Sequence, residues 1–433
     1  MYISYCKRVP RQRQCCARQI ISTRQTPNSP TRAQPITLHP ISNLLSLISS
    51  RQSSMPTLAC FITPHGFGHA ARACAVMAAA QRRIPGLRWE IFTRVPEWFF
   101  AESLTGPFAL HPTDTDVGLV QVDALHADLP ATVERLARLL PFGAERVGAR
   151  AAQVQALGCQ AILCDIAPLG IAVAQAAGLP SVLVENFTWV DIYAEYMDEC
   201  PALQPFSDEM ARWFAAADVH IQAEPVCQPA PTASLTVPPV SRRPRAGRSA
   251  TRDRLAIPEG AQMLLITMGG VDFQHSYLER LARFPDVHFV LPGNHTTRVA
   301  PANVHLLSPR SGIFHPDIVA ASDGVVGKIG YSTLAEVHAA GAPYGYVSRP
   351  HFRESDVLSA FVREKMSGFA IDASELGDGR WIGRVPELLA LPRRTDQHIN
   401  GAEQIATFLH TTILDPVEWH RQWQDRQHVR GHG

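Results

Sequence analysis

The sequence predicts an α/β protein of two doubly wound, Rossmann-like halves. From Met55 on, short apolar runs alternate with helical stretches, the pattern of parallel strands covered on both faces. The alternation stops over residues 225–250, which are rich in proline, and restarts at Met263–Thr267. Each half opens with an apolar strand that runs into glycines, Gly66 and Gly68 in the first and Gly269-Gly270 in the second.

Strand Leu58–Ile62 enters the loop Thr63-Pro64-His65-Gly66-Phe67-Gly68-His69, and an Ala-rich helix over 69–83 follows. Further strands are expected at Trp89–Phe92, Val117–Val122, Ala161–Cys164, Ser181–Val184 and Val219–Gln222. Helices are expected at Glu97–Ser103, 130–157, Ile166–Ala177 (closed by Gly178 and Pro180) and Asp208–Ala217. This makes a first domain of 55–224. Residues 225–250 read as a linker whose cluster Arg242, Arg243, Arg245 and Arg248 is a solvated face. In the second domain, 251–410, strands at 263–267, 287–291, 303–307, 324–327 and 344–347 alternate with helices near 275–283, 313–321, 332–340 and 354–366. A last helix, about 399–410, is expected to cross back onto the first domain, leaving a polar tail, 411–433.

Residues 1–54 carry eight of the 40 Lys/Arg and none of the 39 Asp/Glu. Such an Arg-rich, acid-free leader has the composition of a mitochondrial presequence. The favoured reading is a true start at Met55, with 1–54 disordered. The remainder then holds 32 Lys/Arg against 39 Asp/Glu, a net −7, which argues against nucleic acid as a partner. The nine cysteines are odd in number and form no C-x-x-C pair, so reduced thiols in a cytoplasmic protein are expected. No apolar run is long enough to span a bilayer. Peripheral membrane contact through the first domain stays open for a lipid acceptor, although no basic amphipathic helix stands out.

The stretch Asp323–Ser355 is the most informative. The apolar strand Val325-Val326 runs into Gly327, a turn carries Lys328, Gly330, Ser332 and Thr333, a helix ends at Gly341 and Pro343, and Tyr344–Val347 is a strand. Strand, Gly/Ser/Thr turn and helix build a phosphate site, because amides in a first helical turn lack internal partners and the helix dipole favours an anion. Lys328 adds a full charge, and Glu336 lies one turn on, where a carboxylate takes sugar hydroxyls. The alternative is that Ser332 and Thr333 only cap the helix.

These pieces resemble the GT-B nucleotide-sugar glycosyltransferases: plant UDP-glycosyltransferases, the cell-wall N-acetylglucosaminyltransferase and, above all, the glycosyltransferase-like half of plant L-arabinokinases with its bacterial stand-alone relatives. The GHGFGH-like start and the GKIGYST-like turn carry the likeness, which covers about 55–410. The resemblance implies a donor held in a cleft between domains. Gly330, Tyr331, Ser332 and Thr333 match the diphosphate turn, Lys328 the basic residue beside it, and Glu336 the ribose-binding Glu. Gly269-Gly270 matches the first turn of the donor domain, and Ser311-Gly312 the loop that pins the base, uracil by family habit. Glu354 falls at the acid that holds sugar hydroxyls, but Ser355 replaces the Gln beside it. His69 matches the general base and Asp165 its orienting acid, with His65 as a rival base. Acceptor pockets are expected around Phe187-Thr188-Trp189 and 193–206.

The expectation is therefore an inverting glycosyltransferase that moves a hexose-type sugar from a nucleotide donor to a hydroxyl acceptor. It is expected to need no metal or cofactor. A nucleotide-sugar 2-epimerase and a non-catalytic nucleotide-sugar-binding protein are the alternatives.

Overall fold

The computed structural model describes residues 55–121, 127–269, 276–293, 299–308, 310–348, 353–394, 399–415 and 419. The leader, Gly270 and the end of the tail lie outside them. Two all-parallel sheets organise the chain. The first contains β1 (Thr57–Ile62), β2 (Arg88–Thr93), β3 (Phe108–Pro112), β4 (Ile162–Asp165), β5 (Ser181–Glu185), β6 (Val219–Ala223) and β7 (Leu235–Val237), in the order β3-β2-β1-β4-β5-β6-β7. The second contains β8 (Gln262–Thr267), β9 (Val287–Pro292), β10 (Val304–Leu307), β11 (Gly324–Lys328), β12 (Tyr344–Val347) and β13 (Gly368–Ala370), in the order β10-β9-β8-β11-β12-β13. The central strands β1, β4 and β5 are buried at every residue, as a sheet covered on both faces demands.

In each sheet the strand order reverses beside the first strand, between β1 and β4 and between β8 and β11. Such switch points are where doubly wound sheets bind ligands, at the carboxyl ends of the strands. Register brings Ile62 beside Asp165 in one sheet and Thr267 beside Gly327 in the other. A Cβ on Gly327 would fall 1.8 Å from the Thr267 carbonyl oxygen, so these two strands can approach only through glycine.

Helix α1 (Phe67–Arg83) follows β1 and is buried from His69 to Met77. Its alanines let other elements come close. Among these is α2 (Gly401–Phe408), whose Ala402, Ile405 and Ala406 join the core of the first sheet, so the chain does cross back. The return is clasped: Asn400 Nδ2 donates to the Ser241 carbonyl (2.7 Å) and Oγ (2.9 Å), and Gly401 N–H donates to the Pro239 carbonyl (3.2 Å).

The structure departs from expectation in four places. Residues 117–121 form no strand beyond a single bridge between Gln121 and Ala127; Gly118 sits at φ +61°, and Val120 N–H is taken by Thr132 Oγ1. The strand beside β2 is instead β3, whose Pro112 hid it. The long helix over 130–157 is two helices, 129–139 and 144–156, broken at Pro141, which can neither donate a hydrogen bond nor clear the preceding turn. Finally, the expected linker contributes β7 to the first sheet, and Arg242 within it is buried rather than solvated.

Candidate active site

The switch-point strand ends of the two sheets face one cavity. Its walls include His65, Gly68, His69 and Phe187 from the first lobe, and Lys328, Tyr331 and Glu354 from the second. The lobes nearly touch there: a Cβ on Gly68 would lie 3.5 Å from Ser332 Oγ, Phe187 and Tyr331 rings are 5.5 Å apart, and Cys227 Sγ is 3.2 Å from the Tyr331 hydroxyl.

On the first lobe, His69 sits in the opening turn of α1, with Nδ1 3.0 Å from Asp165 Oδ1 at the end of β4. One helical turn on, Arg72 grips the same carboxylate from both sides, Nε to Oδ2 at 2.8 Å and Nη2 to Oδ1 at 2.6 Å, and its Nη1 donates to Asn186 Oδ1. Asp165 is 1% exposed. Burial alone would raise its pKa, but the Arg72 charge and the bonds from His69 and Arg72 outweigh it and hold the carboxyl below its ordinary value. A fixed carboxylate at Nδ1 selects the tautomer with its proton there, and leaves Nε2 as the basic nitrogen. His69, not His65, therefore has the Asp165 partner; the His65 ring lies edge-on to Trp189 at 5.1 Å.

On the second lobe, the helix Tyr331–Ala340 begins after Gly330. Gly330 is the N-cap and has no side chain, so Ser332 and Thr333 do not cap this helix. The first intrahelical bond runs from Leu334 N–H to the Gly330 carbonyl, and the amides of 331–333 precede it with no intrahelical acceptor. Gly330 has φ −163°, and a Cβ there would meet nothing within 4 Å. Neither backbone nor packing requires glycine; the space before it is open. Lys328 ends β11 on the same cavity wall, and Gly269, at φ +67°, lies on it too.

A side chamber continues from this cavity past Ser332 and Thr333. It is lined by Trp98 and Phe99 of the first lobe, and by Gly269, Ser311, His315 and Glu336 of the second. Gly312 is not among its lining residues; it sits at φ +73°, and its carbonyl accepts from Arg254 Nη2 at 3.0 Å. Glu336 is held at both oxygens, by Arg242 Nε at 2.9 Å and His315 Nδ1 at 2.9 Å. Its burial, which would raise the pKa, is outweighed by the Arg242 charge and the His315 bond, so the value is lowered. The Arg242 guanidinium lies 5.0 Å from the Phe99 ring centre and 5.1 Å from that of Phe314.

Arg72, Asn186, Arg242 and His315 escaped the sequence reading. A signal existed for Arg72, an arginine amid alanines on a helix with no exposed face, which demands a buried acid. The expectation of metal independence rests in part on the sequence holding no D-x-D cluster; that reading is wrong, because Asp114-Thr115-Asp116 has this spacing. Here Asp114 forms a two-fold pair with Arg94, both bonds at 2.9 Å, and Asp116 accepts from Thr63 Oγ1 at 2.7 Å. Among the described residues, no group of three or more His, Cys, Asp or Glu is arranged to hold a metal ion, and no helix is long and apolar enough to cross a membrane.

The fold is that of the GT-B glycosyltransferases. Solved structures that share it include the glycosyltransferase SnogD from Streptomyces nogalater, with a TM-score of 0.51 and 19% identity over 83% of this chain and 95% of that one. A UDP-glucosyltransferase from Polygonum tinctorium matches with a TM-score of 0.54 and 14% identity, over 82% of this chain and 93% of that one. The glycotransferase of kitacinnamycin matches with a TM-score of 0.53 and 17% identity, over 85% of this chain and 100% of that one. In sequence, the chain is similar to L-arabinokinase of Arabidopsis thaliana, 27% identical over 373 residues. That match covers 84% of this chain and 35% of the plant protein, so the chain spans about a third of its relative's length. No protein-family model matches.

Proposed function

We propose that the chain is an inverting glycosyltransferase that uses a nucleotide sugar, UDP-linked by the likeness to its relatives, and an acceptor hydroxyl. One observation carries the reading: a His–Asp pair on one lobe and the unsatisfied amides of a helix N-terminus on the other line the same cavity. In the proposed reaction, the acceptor hydroxyl gives its proton to His69 Nε2 as its oxygen bonds to the anomeric carbon. The bond from that carbon to the diphosphate oxygen breaks on the opposite face. Asp165 stabilises the imidazolium that forms, and Arg72 keeps Asp165 ionised and in place. Negative charge growing on the diphosphate meets the amides of 331–333, the hydroxyls of Ser332 and Thr333, and Lys328, so the scheme calls on no metal.

The side chamber is assigned to the nucleoside. Gly269 and Ser311 offer backbone contacts there, and Glu336 takes the ribose hydroxyls with the oxygen lone pairs that Arg242 and His315 leave. Glu354 is assigned to the sugar hydroxyls. None of the described cysteines is in a disulfide and most are buried, which suits a reducing compartment such as the cytoplasm.

A thermal-shift screen over nucleotide sugars tests the donor site, and His69→Ala tests the chemistry. The expected result is stabilisation by at least one nucleotide sugar, with transfer in the variant reduced about 10²–10⁴-fold while donor binding survives. Failure of every nucleotide sugar to bind would end the proposal.

A further inference from the structure

A second recess, about 640 Å³ and open to solvent, adjoins the central cavity on the first lobe. It shares a wall with that cavity: His65, Gly66, Leu119 and Gln121 line both. Four arginines converge on it from three parts of the chain: Arg94 after β2, Arg135 and Arg138 on the helix 129–139, and Arg146 on the helix 144–156. This stands out in a chain whose residues after 54 carry a net −7.

The local acids do not use up this charge. Asp114 is taken by Arg94, and Arg138 pairs with Glu134 one turn back. Arg146 reaches Asp114 only through its charge, which helps hold that carboxyl below its ordinary value after the Arg94 bond. Arg135 makes no hydrogen bond or ion pair among the described residues. Asp116, on the recess wall, is buried, and burial pushes its carboxyl up to about 7. Scattered surface arginines are ordinarily just solvated, and an isolated exposed pair is worth little. Here they share one concave wall, and the planar guanidinium fork suits carboxylate and phosphate oxygens.

Resting on the glycosyltransferase reading, we propose that this recess binds an anionic group, carboxylate or phosphate, carried by the acceptor. An acceptor whose hydroxyl reaches His69 must extend out of the central cavity. The second-lobe side and side chamber are assigned to the donor. On the first-lobe side, the arginine recess lies just beyond His65 and Leu119. The enzyme then glycosylates acidic hydroxyl compounds, with Arg135 and Arg146 as the residues that set this preference.

The test is equilibrium binding to the full chain with and without UDP, using two pairs of probes matched but for the anion. These are phenyl β-D-glucoside against phenyl β-D-glucuronide, and glucose against glucose 6-phosphate. The anionic member should bind about tenfold tighter at low salt, the scale of one charge-assisted bond, and the advantage should shrink as salt rises. Arg135→Gln with Arg146→Gln should remove most of it and leave UDP affinity unchanged. A preference confined to one pair supports the proposal and tells carboxylate from phosphate. Equal binding within both pairs, or a preference that survives the double variant, overturns it. The UDP titration keeps the two readings apart: loss of UDP binding strikes the donor site, whereas loss of anion preference with UDP bound strikes only the recess.

Discussion

Replacing Arg72 by methionine would strand the Asp165 carboxylate. The side chain supplies two bonds to that group, at 2.8 and 2.6 Å, and most of the opposing charge at a site 1% exposed to solvent. Methionine keeps the packing volume close but leaves His69 as the only remaining donor of the three. Breaking a buried pair on one side costs roughly 3–5 kcal/mol, because the surviving charge keeps its desolvation penalty without its partner. The double variant Arg72→Met with Asp165→Asn has no stranded charge, so it should be more stable than Arg72→Met alone. Urea unfolding at pH 7, followed by tryptophan fluorescence, measures wild type, Arg72→Met, Asp165→Asn and the double variant. The sign with pH also follows. Asp165 has a lowered folded pKa, so its contribution is fully present above the unfolded carboxylate value near ~4 and is lost as pH falls through the folded value. In Arg72→Met the same carboxyl lacks that charge and burial raises it, so the gap between wild type and Arg72→Met should be widest at pH 8 and shrink as pH falls toward ~4. A cost below about 1 kcal/mol at pH 7, or a double variant no better than the sum of the singles, would refute the argument.

Gly330→Ala should fold with unchanged stability, since φ −163° suits any residue and nothing lies within 4 Å of the new methyl. Its donor affinity should nonetheless fall, as read by UDP titration, because the methyl enters the space before the amides. Ser332→Ala with Thr333→Ala should weaken UDP binding by about tenfold per hydroxyl lost, with little change in His69-dependent proton transfer; an unaltered UDP affinity would contradict the assignment. Asp116→Asn should be more stable than wild type, because burial raises the carboxyl from 3.8 to about 7. The ionised form is thus penalised increasingly as pH rises from about 4 to 7, up to about 4 kcal/mol, and denaturation at pH 5 and 8 should show the gap widening. Asn keeps the acceptor for Thr63, and its amide can donate to Thr115 Oγ1, which donates to the Ile62 carbonyl at 3.0 Å.

Much of this architecture was legible because parallel strands announce themselves as apolar runs cut off by glycine. β1 into Gly66 and β11 into Gly330 were readable for that reason, and so was the helix start beside Ser332. Three-residue strands such as β7 and β13 are too short to show a period. Val117 to Val122 alternates like a strand, yet Gly118 and the hydroxyl of Thr132 turn it aside. The Asp165–His69 pair could be expected from the resemblance, but the Arg72 bonds join positions 93 residues apart, and those of Arg242 to Glu336 join positions 94 apart. No local pattern records such partners. A basic residue in a proline-rich stretch looks solvated until the acid it meets is placed in three dimensions.

The clasp of Asn400 with Ser241 has a mechanical consequence. The chain leaves the first sheet after β7 and returns to it at Gly401, and these two passages are tied side by side. The two covalent passages between the lobes thus run side by side, and a swing of one lobe on the other would turn about them. Such a swing changes the gap between Gly68 and Ser332 most and the interiors of the sheets least. Cutting the chain before Asn400 would do more than shorten it: it would strip α2 from the alanine face of α1 and unfasten the clasp that holds the two passages together.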